Sequence, residues 1–476
     1  MRGAHRIRRS GMAFGAISGW RGLAWPIFAG FFALVFLMGG GSRPDITSLV
    51  VLRPLAAIAI GLSLIDITAA EIRAARPALA LLGLFAVMTA IQLVPLPPSW
   101  WLALPGRNGL GDTYQAIGMS PPWHPISLVP WRTWNSLFAL LVPAAAVLSF
   151  VRLRPEQQAR TASLLLIAGA VSAILAVAQL LGPPRGPLYL YAVTNATSGV
   201  GLFANRNHQA FFLACMLPIF ALWLLVERKR FGEGPAQLLV ITAVVVFVSV
   251  LLVATGSRGG LLLGGIGLVS MLLFFGKDAR VIQLGRGRRV DARLSILVLA
   301  GLAAVAMFSI ASRTDALDRF AGGDVESEGR WLYLRPIGRM ISNSFPIGDG
   351  VGTFAEVFRW FEPEAILRAS YANQAHNDVL DLLISFGILG ALPLLLGLYL
   401  WGRAAIRLWA DRRAALPDFA YRLLGLILTL MLATASLLDY PLRVPSLAMV
   451  FVLALTLAGG DLRIAQGAKG KRRSGR

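Results

Sequence analysis

The stretch "LVITAVVVFVSVLLVATGSRGGLLLGGIGLVSMLLFF", residues 239–275, places two apolar runs on either side of a short polar turn. Each run approaches 20 residues, which at about 1.5 Å per residue is long enough to cross a hydrocarbon core of roughly 30 Å. Such runs recur along the 476 residues, of which 56% are hydrophobic and 14% are charged. Soluble domains carry about 25% charged residues. The sequence therefore predicts an all-α polytopic membrane protein.

The apolar runs predict about twelve transmembrane helices, with both chain ends in the cytoplasm. Cytoplasmic loops collect Lys and Arg, and about 30 of the 45 basic residues fall in the loops that this orientation places inside. The net charge of +21 then reflects membrane orientation, and we expect no nucleic-acid partner. The predicted spans are about 23–41, 47–66, 77–95, 134–151, 161–181, 207–226, 236–255, 258–275, 294–311, 378–401, 421–438 and 442–459.

The chain, 1–476, is predicted to form a single integral membrane domain with one large noncytoplasmic loop, 312–377, between helices 9 and 10. This loop carries aromatic residues and is expected to fold. A second loop, about 96–133, opens with "PLPPSWWLALPG". Its adjacent tryptophans predict a segment that lies in the membrane interface.

His376 stands where the large loop meets an apolar helix, in "AHNDVLDLLISFGILG", residues 375–390. Asn377 or Asp378 is expected to cap this helix, and the positive end of its dipole favours a neutral imidazole that accepts a proton. At 3.6 residues per turn, Gly387 and Gly390 lie on roughly one stripe with His376, and this stripe is expected to direct the histidine into the bundle. A capping histidine without chemistry explains the local pattern equally well.

Arg258 lies in the turn "ATGSRGGLLLGG", residues 254–265. Ser257 is expected to cap the following helix, while Gly259 and Gly260 leave its first amides accessible. Exposed backbone amides at a helix N-terminus, together with an arginine, form a favourable binding site for phosphate. The alternative is an arginine that only extends to the membrane surface.

Three arginines of the large loop, Arg330, Arg335 and Arg339, precede a Pro/Gly-rich turn. Pro336 predicts that no continuous helix runs through Arg335, because the residue before proline avoids the α region. These arginines are either anion ligands or a solvated basic face paired with the neighbouring acidic residues.

Two further polar clusters lie where spans begin or end. Asn205, Arg206, Asn207 and His208 enter the sixth span together, and Asn207 alone explains a helix cap. Asp439 and Arg443 flank the turn between the last two spans, where an ordinary ion pair is the expected arrangement. The four histidines form no metal-binding pattern, and no nucleotide-binding motif is present in the sequence.

The pattern His, then Asn, Ser or Gln, then nine residues, then Gly-x-x-Gly is complete from His376 onward. The chain therefore resembles the O-antigen ligase and polymerase superfamily of bacterial envelope glycosyltransferases. Arg258 followed by Leu262, and Arg330 with the turn "FPIGDGVGTF", are similar to further motifs of that family. "GLFANRNHQA" resembles its asparagine-containing entry to a middle span. The motif-bearing region covers about 200–400.

This resemblance implies an enzyme of the bacterial inner membrane that uses neither metal nor cofactor. Such enzymes transfer a glycan from undecaprenyl diphosphate to an acceptor hydroxyl at the periplasmic face, where the acceptor is lipid A–core or a growing polysaccharide. His376 would activate the acceptor, and Arg258 and Arg330 would bind the diphosphate. The remaining substrate-binding candidates are Asn205, Arg206, Asn207, Asn377, Arg335 and Arg339.

Several rival functions stay open. A ligase for lipopolysaccharide and a polymerase of O-antigen or exopolysaccharide repeats fit the motifs equally, and a protein O-glycosyltransferase shares them. A transporter of lipid-linked glycans is a different class, with binding groups near the membrane midplane and internal repeats. Here the candidates gather at one face, and Arg53, the main charge inside a span, lies in its outer half. This distribution favours an enzyme.

Overall fold

A computed structural model describes residues 20–107, 109–226, 235–275, 282–284, 288–290, 325–364, 367, 372–411 and 416–460. The α-helices are α1 Ala24–Met38, α2 Leu49–Leu64, α3 Ala69–Ile91, α4 Pro98–Trp101, α5 Leu110–Ala116, α6 Pro130–Ala139, α7 Leu141–Val151, α8 Pro155–Leu181, α9 Arg206–Val226, α10 Pro235–Ala254, α11 Arg258–Phe275, α12 Val325–Ser344, α13 Phe354–Val357, α14 Asp378–Phe386, α15 Ala391–Ala410, α16 Leu416–Leu438 and α17 Pro445–Gly459. Short 3₁₀ turns occupy Phe358–Trp360, Gly387–Gly390 and Pro441–Arg443. Strands β1 Pro95–Leu96 and β2 His124–Pro125 pair antiparallel, as do β3 Ile282–Leu284 and β4 Arg288–Val290.

The described part of the chain is mostly helical, as predicted. Six helical segments are long and apolar enough to cross a membrane: 69–91, 130–151, 155–181, 206–226, 378–410 and 418–438. Shorter apolar helices cover 24–38, 49–64, 239–254, 258–271 and 445–459. Together they overlap every predicted span except 294–311, which falls outside the described residues. The number of spans and the side on which each loop lies stay predictions.

Helix α9 forms the centre of the bundle. All of its residues from His208 to Leu222 are buried. Helix α11 packs closely against it because two glycines of α11 face α9. A side-chain carbon at Gly260 would overlap the Cβ of Ala210, and one at Gly267 would lie 2.8 Å from the backbone oxygen of Ala214. Small residues in this position allow two membrane helices to approach each other.

The connections at one end of the bundle are joined to one another by hydrogen bonds. The Gly40 amide donates to the Tyr191 hydroxyl (2.6 Å), and the Ala204 amide donates to the Gly40 oxygen (3.1 Å). The Ser446 amide donates to the Gly39 oxygen (3.0 Å). The loops before α2, α9 and α17 therefore meet at one face, which the charge pattern predicts to be noncytoplasmic.

Helix α12 passes continuously through Pro336, so the prediction of an interruption at this proline is wrong. Tyr333, Ile337 and Met340 lie on one face of α12 and pack with buried residues of α13 and α14. Proline removes one hydrogen bond and strains the preceding turn, and burial of this face offsets that cost. Tertiary packing here overrides the local preference.

The Pro/Gly turn, residues 345–353, crosses the far end of α14. Asp349 and Gly350 donate backbone hydrogen bonds to Ile384 (2.8 Å) and Ser385 (3.1 Å), and the Ile388 amide donates to Pro346 (3.0 Å). We call this segment the strap. The strap ties the large loop to the membrane helix that follows His376.

The strap also binds the 96–133 loop through a buried ion pair. Arg107 Nη1 lies 3.8 Å from Asp349 Oδ1, and both side chains are almost completely buried. Burial raises the pKa of the Asp349 carboxyl to about 6, although the Arg107 charge opposes this change. In the same loop Trp101 is buried, whereas Trp100 is exposed. That this segment lies in the membrane interface stays a prediction.

Gly387 ends α14, so the predicted continuous glycine stripe from His376 is also wrong. Its φ of +56° lies in the left-handed half of the map, and the chain turns through Gly387–Gly390 before α15 begins. The Pro346 carbonyl occupies the space where a side chain at Gly387 would lie. Gly387 permits close packing, as expected. It packs against the strap, and it lies at the end of a helix and not within one.

Candidate active site

Asn377 begins α14 and holds the backbone that presents His376. Its Oδ1 accepts hydrogen bonds from the amides of Val379 (2.9 Å) and Leu380 (3.1 Å), and its Nδ2 donates to the Leu437 oxygen (2.9 Å). His376 itself has a φ of +52°, a conformation that costs a non-glycine residue about 1–2 kcal/mol. The surrounding contacts thus hold the histidine in an unfavourable backbone geometry, which is frequent at functional sites.

Asp439 is the partner of the His376 ring. His376 Nδ1 lies 3.2 Å from Asp439 Oδ1, and the carboxylate is completely buried. It also accepts hydrogen bonds from Asn207 Nδ2 (2.7 Å) and from the Tyr440 amide (3.1 Å). A proton on Nδ1 that is donated to this carboxylate leaves Nε2 free to accept a proton from a substrate. The His376 side chain is partly exposed.

The Tyr440 ring lies between two histidines. Its centroid is 5.0 Å from that of His376 and 5.2 Å from that of His208. His208 is completely buried, and neither of its ring nitrogens has a hydrogen-bond partner among the described residues. Tyr440 thus contacts both histidine rings.

The Arg258 turn is adjacent to this cluster. A side-chain carbon at Gly259 would lie 3.3 Å from Leu438, the neighbour of Asp439. A carbon at Gly256 would lie 3.7 Å from Arg206 Nη1. The starts of α9 and α11 therefore place Arg206 and Arg258 at the same end of the bundle as His376.

Ser257 caps the helix as predicted. The glycines after it do not form a phosphate-binding site with accessible backbone amides. The Ser257 hydroxyl accepts the Gly260 amide at 3.0 Å, and Gly260 is buried against α9. The expectation that the Gly260 amide is accessible is wrong. The Arg258 side chain is exposed in this turn.

The asparagines at the start of α9 have structural partners. Asn205 Oδ1 accepts the Asn207 amide (2.7 Å), so the cap is Asn205 and the expectation that Asn207 caps this helix is wrong. Asn207 instead holds the Asp439 carboxylate. The backbone amide of Arg206 donates to Asn195 Oδ1 (3.0 Å). This hydrogen bond fixes the backbone at Arg206 but does not involve its guanidinium.

Arginines of the large loop lie on α12. Arg335 and Arg339 are on its exposed face, opposite the face that packs with α14. Arg330 belongs to the same helix, and its side chain falls outside the described residues. No described contact joins Arg335 or Arg339 to the His376 cluster.

Arg443 pairs with α14, and the expected ordinary ion pair with Asp439 is wrong. Its Nη2 lies 3.3 Å from Asp381 and its Nε lies 3.6 Å from Asp378. The importance of Asp439 was therefore missed in the sequence, although one signal was present. Asp439 is an acidic residue directly after an apolar span, a position where a charge needs a specific partner.

Residues 243–395 match the family model described as O-antigen ligase. The chain is thus similar to the O-antigen ligase superfamily, as the motifs predicted. No curated protein matches the chain significantly. The O-antigen ligase match contains Arg258, Arg330 and His376, whereas Asn207 and Asp439, which complete the histidine cluster, lie outside it.

Proposed function

We propose that this protein is a membrane glycosyltransferase of the O-antigen ligase type. It transfers a glycan from undecaprenyl diphosphate to an acceptor hydroxyl at the periplasmic face of the bacterial inner membrane, with both chain ends in the cytoplasm. The observation that carries this proposal is the contact of His376 with the buried Asp439. A histidine oriented by a carboxylate at an open face is suited to proton transfer.

His376 acts as the general base in this proposal. As the acceptor oxygen bonds to the anomeric carbon, His376 Nε2 takes the hydroxyl proton, and the bond between that carbon and the diphosphate oxygen breaks. Asp439 stabilises the imidazolium that results, because its buried carboxylate attracts the new positive charge at short distance. The proton remains on His376 until it is released with the products.

Arginines stabilise the leaving diphosphate, which carries about two negative charges. Arg258 and Arg330 have this role in the proposal, and Arg206 joins them because it lies beside the Arg258 turn. Fixed guanidinium groups stabilise developing charge without a metal ion. Arg335 and Arg339 are exposed and remain candidates for contact with the glycan or its carrier.

Three asparagines that were predicted to bind substrate have partners within the protein, and in the proposed function they contact other parts of the protein and not the substrate. Asn205 and Asn377 cap helices, and Asn207 binds Asp439. We infer that they position the catalytic groups. Substitution of Asn207 is therefore expected to affect turnover more than substrate affinity.

A polymerase that extends O-antigen or exopolysaccharide repeats is the second candidate, because the same site serves a lipid-linked acceptor. Deletion of the gene followed by analysis of lipid-linked glycans separates the two functions. Full-length glycans that accumulate on the carrier indicate a ligase, and single repeats indicate a polymerase. Unchanged lipid-linked glycans and unchanged envelope polysaccharides would contradict both.

A further inference from the structure

Arg53 is a charged residue on the apolar helix α2, remote in sequence from the histidine cluster. It lies one turn after the helix start at Leu49 and extends to α6. Its Nη1 donates to Asn135 Oδ1 (2.6 Å) and its Nη2 to the Asn135 backbone oxygen (3.2 Å). An arginine in a membrane helix is costly and generally has a specific anionic or polar partner.

The partners that the protein supplies to Arg53 are neutral. No acidic side chain of the described residues lies within ion-pair distance of its guanidinium. Its Nε is buried and has no hydrogen-bond partner in the described part of the chain. Within the described part of the chain, no acidic side chain compensates this positive charge.

The acidic groups in this region are bound to other arginines. Asp45 pairs with Arg43 at 2.9 Å, and Glu356 pairs with Arg132 at 2.5 Å. The pKa of Asp45 is lowered by the Arg43 hydrogen bond and further by the charge of Arg132, so Arg132 also belongs to this region. With Arg53 included, three arginines face two carboxylates, and the region has an excess of positive charge.

Apolar side chains surround Arg53 on the outer surface. Val50 and Ala57 lie on its face of α2, one turn away on each side, and Val50 is 74% exposed. On α6, Trp131 and Phe138 lie close to the face of Asn135 and are 59% and 46% exposed. This arrangement is complementary to a membrane lipid, since the cation would contact the headgroup and the exposed apolar residues would contact the acyl chains.

We propose that Arg53 and Asn135 bind the phosphate group of a membrane lipid, whose acyl chains lie along the exposed apolar residues of α2 and α6. The partly exposed guanidinium of Arg53 donates to the phosphate through the Nη hydrogens that Asn135 does not accept, and Trp131 lies at headgroup level. Arg132, whose guanidinium is 4.1 Å from the Trp131 ring centroid, stands at the rim. This lipid site is independent of the proposed glycosyl transfer.

Lipid competition on the intact protein tests this proposal. The protein is equilibrated in mixed micelles with equal amounts of phosphatidylglycerol and phosphatidylcholine, and bound lipid is counted by native mass spectrometry. We expect Arg53→Gln to lower retained phosphatidylglycerol about fivefold and leave phosphatidylcholine unchanged, since a surface cation contributes about 1 kcal/mol to such binding. Arg53→Lys should retain part of the preference. Arg73→Gln, which removes an exposed arginine of α3, is the matched control.

A second measurement uses the unmodified protein and is independent of how the variants fold. A photoreactive phosphatidylglycerol is cross-linked to the protein, and the modified peptides are mapped. The proposal expects modification at residues 50–57 and 131–138, which excess phosphatidylglycerol prevents and phosphatidylcholine does not. Equal retention of phosphatidylglycerol by Arg53→Gln and the Arg73→Gln control, or cross-links absent from both segments, would overturn it.

Discussion

His376 depends on residues from three separate helices for its orientation. Asn377 caps its own helix, Asp439 at the end of α16 holds its Nδ1, and Asn207 on α9 holds Asp439. The local sequence predicted the helix cap at Asn377 correctly, and the catalytic role of His376 stays a proposal. It did not predict the contact between His376 and Asp439, because a contact across 63 residues of chain leaves no local pattern.

Asp439→Asn tests the orientation of His376. The amide keeps the shape of the carboxylate but does not stabilise the imidazolium, so we expect turnover to fall by roughly 10²–10⁴-fold, within the range of general-base catalysis. The KM for the lipid-linked donor should change little. Initial rates of glycan transfer by the purified protein measure both quantities.

The matched control for this variant is Asp411→Asn, which alters a carboxylate that pairs with Arg422 at another position. This control should transfer glycan at the wild-type rate. If Asp439→Asn had wild-type turnover and the pH profile of the wild-type protein, Asp439 would not act through His376.

At the level of elements, the strap explains the glycines that the motif contains. Gly348, Gly350 and Gly387 all have positive φ values. A side chain at Gly348 would meet the backbone of α14 and Gly387, and one at Gly387 would meet the backbone of the strap. The sequence predicted that glycines permit close packing but placed them on one continuous helix. The break at Gly387 depends on the strap, which belongs to a distant loop, and no local rule reports it.

Gly387→Ala should destabilise the junction between the strap and α14. An added methyl group would meet the Pro346 carbonyl, and the left-handed backbone disfavours alanine, so a cost above about 1 kcal/mol is expected. The thermal unfolding midpoint of the detergent-solubilised protein measures the effect. The control is Gly397→Ala on α15, where no neighbour lies within 4 Å of the added carbon, and alanine should be neutral or stabilising there. Equal midpoints for the two variants would refute this role of the strap.

The buried pair of Arg107 and Asp349 predicts a pH dependence of the same junction. Because burial raises the pKa of Asp349 from 3.8 to about 6, the folded state binds a proton more strongly than the unfolded state. Its contribution to stability is thus largest below about pH 4 and declines as pH rises toward 6, at about 1.4 kcal/mol for each unit of pKa shift.

Asp349→Asn should remove this contribution and flatten the stability profile between pH 4 and pH 6. Thermal unfolding of the wild-type protein and the variant across pH 4–8 measures the slope. Identical slopes for both proteins in that window would show that Asp349 does not titrate as the structure indicates.

For the whole molecule, hydropathy predicted the positions of the described apolar helices well, since the composition of a span is fixed by the membrane. Local rules failed where packing decides: α12 continues through Pro336, and α14 ends at Gly387. The family motifs indicated Arg258 and His376, and residues 243–395 carry the family match. The contacts that unite the site come from helices outside that match and required the structure.

The role of His376 as the general base of glycan transfer is measured by single-turnover transfer from purified undecaprenyl-diphosphate-linked glycan to acceptor, with wild-type protein, His376→Gln and the control His124→Gln. His124 lies in the 96–133 loop, with its Nδ1 near the carbonyl oxygen of the next residue. We predict that His376→Gln lowers the rate by roughly 10²–10⁴-fold while donor binding persists, and that His124→Gln retains the wild-type rate. Transfer by His376→Gln at the wild-type rate would contradict the account.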